Sequence, residues 1–198
     1  MNKQDTPFSS EEWAERLSTQ VLPTGPFVGK LVLHTIEEDK LTYKQIAKQA
    51  NKDPVFSYHI MSKANRNKDE DAPFSKTLVH AISMLGTENL KEITLSLPTL
   101  KHKLGNTKQV YYARAVSTSL LASYLAREFS TIKQLGQAED LYWGALFCGV
   151  PMWFLWEFAT SEMKQVRHAI HTNFKTPKQA ETEVFGCTIP EIAEQLIK

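Results

Sequence analysis

Leu41 to Asn65, LTYKQIAKQANKDPVFSYHIMSKAN, decides the fold. It predicts two short helices that meet at a proline corner. In Thr42-x-x-Gln45 the hydroxyl can accept from the Gln45 N–H while the Gln45 amide reaches back to the Thr42 N–H, the reciprocal cap that opens a helix. Asp53-Pro54 opens the second helix. The carboxylate takes free N–H groups of the first turn, and a proline just inside has no N–H to lose and already holds a helical φ. Phe56, Ile60 and Ala64 then recur at four-residue steps, one stripe aimed at a core. None of these side chains is a reagent, so the stretch specifies architecture rather than chemistry.

Toward the N-terminus, Ser9-x-x-Glu12 starts a helix on which Trp13 and Leu17 share a face, and Leu22-Pro23 with Gly25-Pro26 stops it. Phe27, Leu31, Val32 and Leu33 give the next helix its apolar side. The acidic run Glu37-Glu38-Asp39 leads into the central stretch. Beyond Asn65, the charged run Arg66 to Asp71 followed by Pro73 reads as a loop. Ser75 caps a helix carrying Leu78, Ile82 and Leu85, Gly86 closes it, and Thr87 reopens a helix through Leu90, Ile93 and Leu97 to Pro98. No stretch alternates as a strand does, so the fold class is all-α.

Lys101 to Asn106, polar and glycine-containing, marks the boundary between two lobes, about 9–100 and about 106–198, of one domain. The longest helix follows, from about Thr107 to Phe129. Its apolar stripe includes Ala113, Val116, Leu120 and Tyr124, extended by Leu121, Leu125 and Phe129. Ala138 to Phe147 is apolar nearly all round and predicts a centrally buried helix. Pro151 then breaks or bends the chain before Trp153, Phe154, Trp156 and Phe158, and Met163, Val166 and Ile170 continue an amphipathic helix. Thr176-x-x-Gln179 and Thr188-x-x-Glu191 are further capping boxes, each with a proline in the first turn. The last helix, with Ile192 and Leu196, carries no stop signal, and the chain reads as a piece of something longer.

With 23 basic and 22 acidic side chains the net charge is +1, so no whole-molecule field draws in nucleic acid or anionic lipid. Neither is expected as a partner. Cys148 and Cys187 are expected as thiols in a reducing cytoplasm, Cys148 buried among Ala145, Leu146 and Phe147 rather than nucleophilic. The most apolar window, Tyr142 to Phe158, is interrupted by Gly144, Gly149, Pro151 and Glu157, which suits core rather than a membrane span.

The candidate sites are sparse. His168 and His171, three apart on a helix, can face the same way, but a two-ligand pair is incomplete as a metal site. His34, His59, His80 and His102 stand singly. Trp153 and Trp156, also three apart, are candidate anchors for a protein partner, with core filling as the plainer reading. Lys101, His102 and Lys103, with Lys108, form a small basic cluster at the boundary loop, a second candidate contact surface that would hold nucleic acid only weakly, with a solvated loop as the plainer reading.

Several of these segments, in order, resemble the HDOD family of bacterial signalling proteins, relatives of the metal-dependent HD phosphohydrolases. They are Val21-Leu22-Pro23; Ile46-Ala47 with Asp53-Pro54 and Ala64-Asn65; Ala81-Ile82 with Leu85-Gly86; Gly144 to Val150; and Glu183 to Leu196. The resemblance implies an all-α, two-lobed multi-helix bundle. Laid on the family's Gly-Leu-Leu-His-Asp-Ile-Gly, the chain has Phe147 at the His and Cys148 at the Asp, and Ile189 stands at the His of the closing segment with Ala193 at its second Gly. A phenyl ring and a sec-butyl group offer no lone pair to a metal, and an HD hydrolase uses its metal to activate water. The resemblance therefore implies a non-catalytic, cytoplasmic bacterial signalling module, without cofactor, that acts through an unidentified protein partner, with self-association left open. The alternative is a residual HD-type phosphohydrolase of a nucleotide or phosphodiester, with a rearranged metal site at His168 and His171.

Overall fold

The computed structural model describes residues 8–37, 42–66, 75–101 and 106–197. Glu38 and Asp39, most of the predicted loop after Asn65, and most of the Lys101–Asn106 boundary, His102 and Lys103 included, lie outside them. Among the described residues the secondary structure is helical: α1 (Ser10–Ser18), α2 (Val28–Ile36), α3 (Tyr43–Ala50), α4 (Pro54–Arg66), α5 (Leu78–Ser96), α6 (Thr107–Ile132), α7 (Ala138–Phe147), α8 (Val150–Phe158), α9 (Thr160–Thr172), α10 (Pro177–Phe185) and α11 (Ile189–Ile197). The one extended pairing among them is an isolated parallel bridge between Thr24 and Thr99. The residues gather into two compact units.

One unit is drawn from Leu22–Gly105 and Val116–Cys148. Its organising feature is the α3–α4 corner. Asp53 Oδ1 accepts from the N–H groups of Val55 at 2.8 Å and Phe56 at 3.1 Å, as the cap predicts, and Oδ2 accepts from the Gly25 N–H at 2.6 Å. That second bond was not legible, because it joins positions far apart in the chain. It also explains the glycine, since a β-carbon on residue 25 would lie 3.0 Å from Oδ2. Phe56, Ile60 and Ala64 are buried as expected, and α4 packs against α5, which contributes Leu78, Ala81, Ile82 and Leu85. Asn65 closes the end of α4, its side-chain carbonyl accepting from the Ser75 N–H at 2.7 Å. The cap of α5 is Thr77 rather than Ser75, whose hydroxyl instead donates to the Thr77 carbonyl. Gly86, at φ 73 and ψ 167, kinks α5 where the sequence placed a helix end.

The segment leading into α2 is tied to the end of α5, Thr24 N–H donating to Pro98 O and Leu100 N–H to Thr24 O, each at 2.9 Å. Nearby, the His59 ring bonds the Leu22 carbonyl through Nε2 at 2.9 Å, which requires the proton on that nitrogen. Burial pushes the His59 pKa below its ordinary value, outweighing the raising effects of the Leu22 carbonyl and Asp53, so the ring is neutral and structural. Helix α2 buries Val28, Val32, Thr35 and Ile36, whereas Phe27 and Leu31 are exposed, so the apolar side lies about one residue round from the predicted one. Helix α7 buries Tyr142, Trp143 and Leu146 but leaves Glu139, Asp140 and Gly144 exposed, and is therefore only half sunk, not central.

The other unit is drawn from Met1–Val21, Asn106–Ala115 and Gly149–Lys198. The Ser9–Glu12, Thr176–Gln179 and Thr188–Glu191 capping boxes are all made. Helix α1 packs on α11 and α8. Its Trp13 is 3% exposed, donates from Nε1 to the Phe185 carbonyl at 3.0 Å, and meets the Phe185 ring edge-to-face at 5.1 Å. Pro151 sits in the first turn of α8, where a missing N–H costs nothing, so the chain breaks there between two helices, one of the two outcomes its sequence position allows. Gly186 ends α10 in the left-handed conformation, φ 80. The gathering differs from lobes at about 9–100 and about 106–198: α1 joins the C-terminal helices, because that is where its buried face finds apolar partners, and α6 contributes to both units.

Candidate functional site

Phe147, the residue that the motif resemblance sets against a histidine, stands at the end of α7. The Phe147 ring lies 5.5 Å from that of Trp143 one turn earlier and 6.0 Å, edge-to-face, from Tyr58 of α4. The aromatic row continues through Tyr142, edge-to-face with Trp143 at 5.0 Å and with Tyr124 of α6 at 5.6 Å. The Arg127 guanidinium lies 5.0 Å from the Tyr124 ring centre and 5.1 Å from that of Tyr142, a cation–π arrangement that holds the charge over the rings. Burial pushes both the Tyr58 and the Tyr142 phenol upward, Arg66 opposing it at Tyr58 and Ser123 and Arg127 at Tyr142. Both are therefore neutral phenols at physiological pH. The Trp143 indole nitrogen is buried without an acceptor. Such a row packs and orients; it offers neither a base nor a ligand set.

Cys148 follows directly and is exposed, contrary to the buried thiol expected from its apolar neighbours. The reason is local: it is the C-cap of α7, where the backbone leaves the packed face. Cys187 is the buried one, and burial, reinforced by Glu191, Glu11 and Glu181, pushes its thiol pKa up. Iodoacetamide should therefore modify Cys148 of the native protein at least ~10-fold faster than Cys187, which becomes reactive on unfolding. Equal labelling of the two in native buffer, read by peptide mass spectrometry, would contradict this arrangement.

In the other unit the two predicted anchor tryptophans are core. Trp153 is 0% and Trp156 5% exposed, so neither presents a ring to a partner. A helix with apolar residues on every side was the signal for the plainer reading. Trp156 stacks on Tyr111 of α6 at 4.4 Å and 18°, and the Arg167 guanidinium lies 4.6 Å from the Tyr111 ring centre. Lys108, counted in the basic cluster, is engaged with the Glu157 carboxylate at 2.7 Å. Lys101 is exposed, and His102 and Lys103 lie outside the described residues. His168 and His171 are exposed on α9, with His168 Nδ1 3.3 Å from the Thr172 hydroxyl. Among the described residues no three His, Cys, Asp or Glu side chains are grouped as a metal site, so this pair gains no third donor. Ile189, set against a histidine by the motif resemblance, contributes its backbone, the N–H donating to Glu181 at 3.0 Å.

Sequence reading missed Tyr58, Trp143 and Arg127. Tyr124 with Arg127 and Trp143 with Phe147, each pair one helical turn apart, carried a local signal of their contact; Tyr58 carried none. An open depression of about 580 Å³ at the α6–α7 turn, lined by Ser130, Gln134 and Asp140 among others, includes none of the positions matched to the family's motifs.

A family model described as HDOD domain matches residues 22–198. In structure the chain is similar to the crystal structure of the MmoQ response regulator from Methylococcus capsulatus str. Bath, with a TM-score of 0.67 and 19% identity over 90% of this chain and 72% of that one. A fragment of the same regulator, 20–298, gives 0.64 and 18% over 90% and 68%. An HDOD domain protein of unknown function from Geobacter sulfurreducens gives 0.43 and 18% over 93% and 62%. No curated protein matches.

Proposed function

The chain belongs to the HDOD domain family, and from that premise we propose that it is a non-catalytic module of bacterial signal transduction that works in the cytoplasm by binding another protein. The observation that carries this is Phe147. At the place where the hydrolytic relatives have a metal-binding histidine, a hydrocarbon ring is packed between Tyr58 and Trp143, and no lone pair is available there. Restoring the hydrolytic pattern would require emptying an aromatic contact as well as exchanging one side chain. The similarity to a response regulator supports a place in a signalling pathway.

Two measurements test the reading. Protein purified without chelator is expected to carry less than about 0.1 equivalent of transition metal and to leave model phosphodiesters unhydrolysed. Stoichiometric metal together with turnover would replace the module by the residual phosphohydrolase, with His168 and His171 as the first residues to substitute. On the positive side, immobilised protein should enrich a specific partner from bacterial lysate over a charge-matched control, and failure to enrich any would count against an adaptor role.

A further inference from the structure

The half of α6 from Val116 onward is polar on its buried side and apolar on its exposed side, the reverse of an ordinary surface helix. Ser119, Ser123 and Ser130 are buried, and Ser123 satisfies its hydroxyl by donating to the Leu120 carbonyl at 2.7 Å. Leu121, Leu125, Phe129 and Ile132 are 60%, 62%, 57% and 74% exposed. At ~100° per residue these four fall within an arc of about 80°, in a row roughly 16 Å long. Scattered exposed apolar side chains are ordinary; a contiguous row of four marks an interface.

We propose that this row is the self-association surface of the protein: two copies pair α6 against α6, antiparallel, about a two-fold axis at Leu125. The distribution of charge selects both the partner and the direction. The charged side chains of this stretch, Arg127, Glu128 and Lys133, all stand in its second half, and Val116 to Ala122 carries none. Antiparallel pairing lays the charged half of each copy over the uncharged half of the other. Parallel pairing would set Glu128 against Glu128 and Lys133 against Lys133, which repel. Arg127 is held over Tyr124 and Tyr142, leaving a rim with one charge of each sign. Together with the whole-chain charge of +1, that rim favours a second copy over a strongly acidic or basic partner. Shape agrees. About an axis at Leu125, Leu121 meets Phe129 of the second copy, and the small Thr118 meets Ile132.

The four side chains supply roughly 400 Å² of apolar surface per copy, and with Thr118, Ala122 and Tyr124 at the rim the pair approaches ~1,200 Å² in total, the low end for a specific interface. The expected dissociation constant is accordingly on the order of 10 μM.

Sedimentation equilibrium of the full chain up to about 200 μM should show a monomer–dimer equilibrium, and Leu125→Glu should weaken it at least ~100-fold while leaving the circular dichroism unchanged, since the position is on the surface. In a Cys148→Ser background, Leu125→Cys should form an oxidised dimer and Ile132→Cys should not, because only the first lies on the axis. A wild-type chain that stays monomeric at the highest concentration, a dimer that survives Leu125→Glu, or cross-linking at Ile132→Cys would each overturn the proposal. The result is independent of whether the chain is catalytic.

Discussion

Replacing Asp53 with alanine should lower the free energy of unfolding by about 3–4 kcal/mol, read as a fall in the urea midpoint at constant slope. An ordinary helix cap contributes ~1 kcal/mol, but this carboxylate does more. Two of its hydrogen bonds open α4, from Val55 and Phe56, and a third, from Gly25, fastens the entry of the same unit to the corner. The side chain is only 8% exposed, so alanine would leave three N–H donors where water reaches poorly. Asp53→Asn keeps an acceptor and should cost roughly half as much. If Asp53→Ala proved neutral, the corner would not be the element on which α3, α4 and α5 assemble.

Trp153→Ala should destabilise by about 3–5 kcal/mol, because the indole is fully buried and its removal leaves a cavity that α8 cannot close. The expected signature is a lower thermal midpoint with loss of near-ultraviolet ellipticity. Phe129→Ala, at 57% exposure, should change monomer stability by no more than ~0.5 kcal/mol. The contrast separates the two kinds of aromatic residue in this chain: those that hold it together, and those left facing outward. A Trp153 variant with unchanged stability but impaired binding would restore the tryptophan as an anchor.

The paired helices at Thr42 and Pro54, the all-helical class and the capping boxes were legible from residue order, since each rests on contacts between residues no more than four apart. The family was legible too, from segments spread along the chain, and the match over residues 22–198 agrees. At the candidate site, the resemblance of residues 144–150 to a family motif could be read from the sequence; what Phe147 touches could not, because Tyr58 lies far away in the chain.

Three ambiguities share one cause. The apolar neighbours of Cys148 predict burial where the thiol is exposed, the spacing of Trp153 and Trp156 allows surface anchors beside the plainer core filling that the structure has, and the steps along α6 put Leu121, Leu125 and Phe129 in one stripe with Leu120 and Val116. In each case the side chains allow either environment, and the period of the helix does not say which side meets the core. Helix α6 carries apolar residues on more than one side, Val116 and Leu120 on one and Leu121, Leu125 and Phe129 on another, so only the packing of its neighbours selects the inner face.

The residues themselves determined where the capped helices at Ser9, Thr42, Thr176 and Thr188 begin and that Phe147 and Ile189 have no side-chain lone pair, because capping and lone pairs are properties of a few adjacent atoms. The tertiary structure decided that α1 joins the C-terminal helices, that Gly25 closes on Asp53, and that α6 turns its leucines outward. Those are outcomes of burying the most apolar area the whole chain allows, a competition among distant segments that no local window contains.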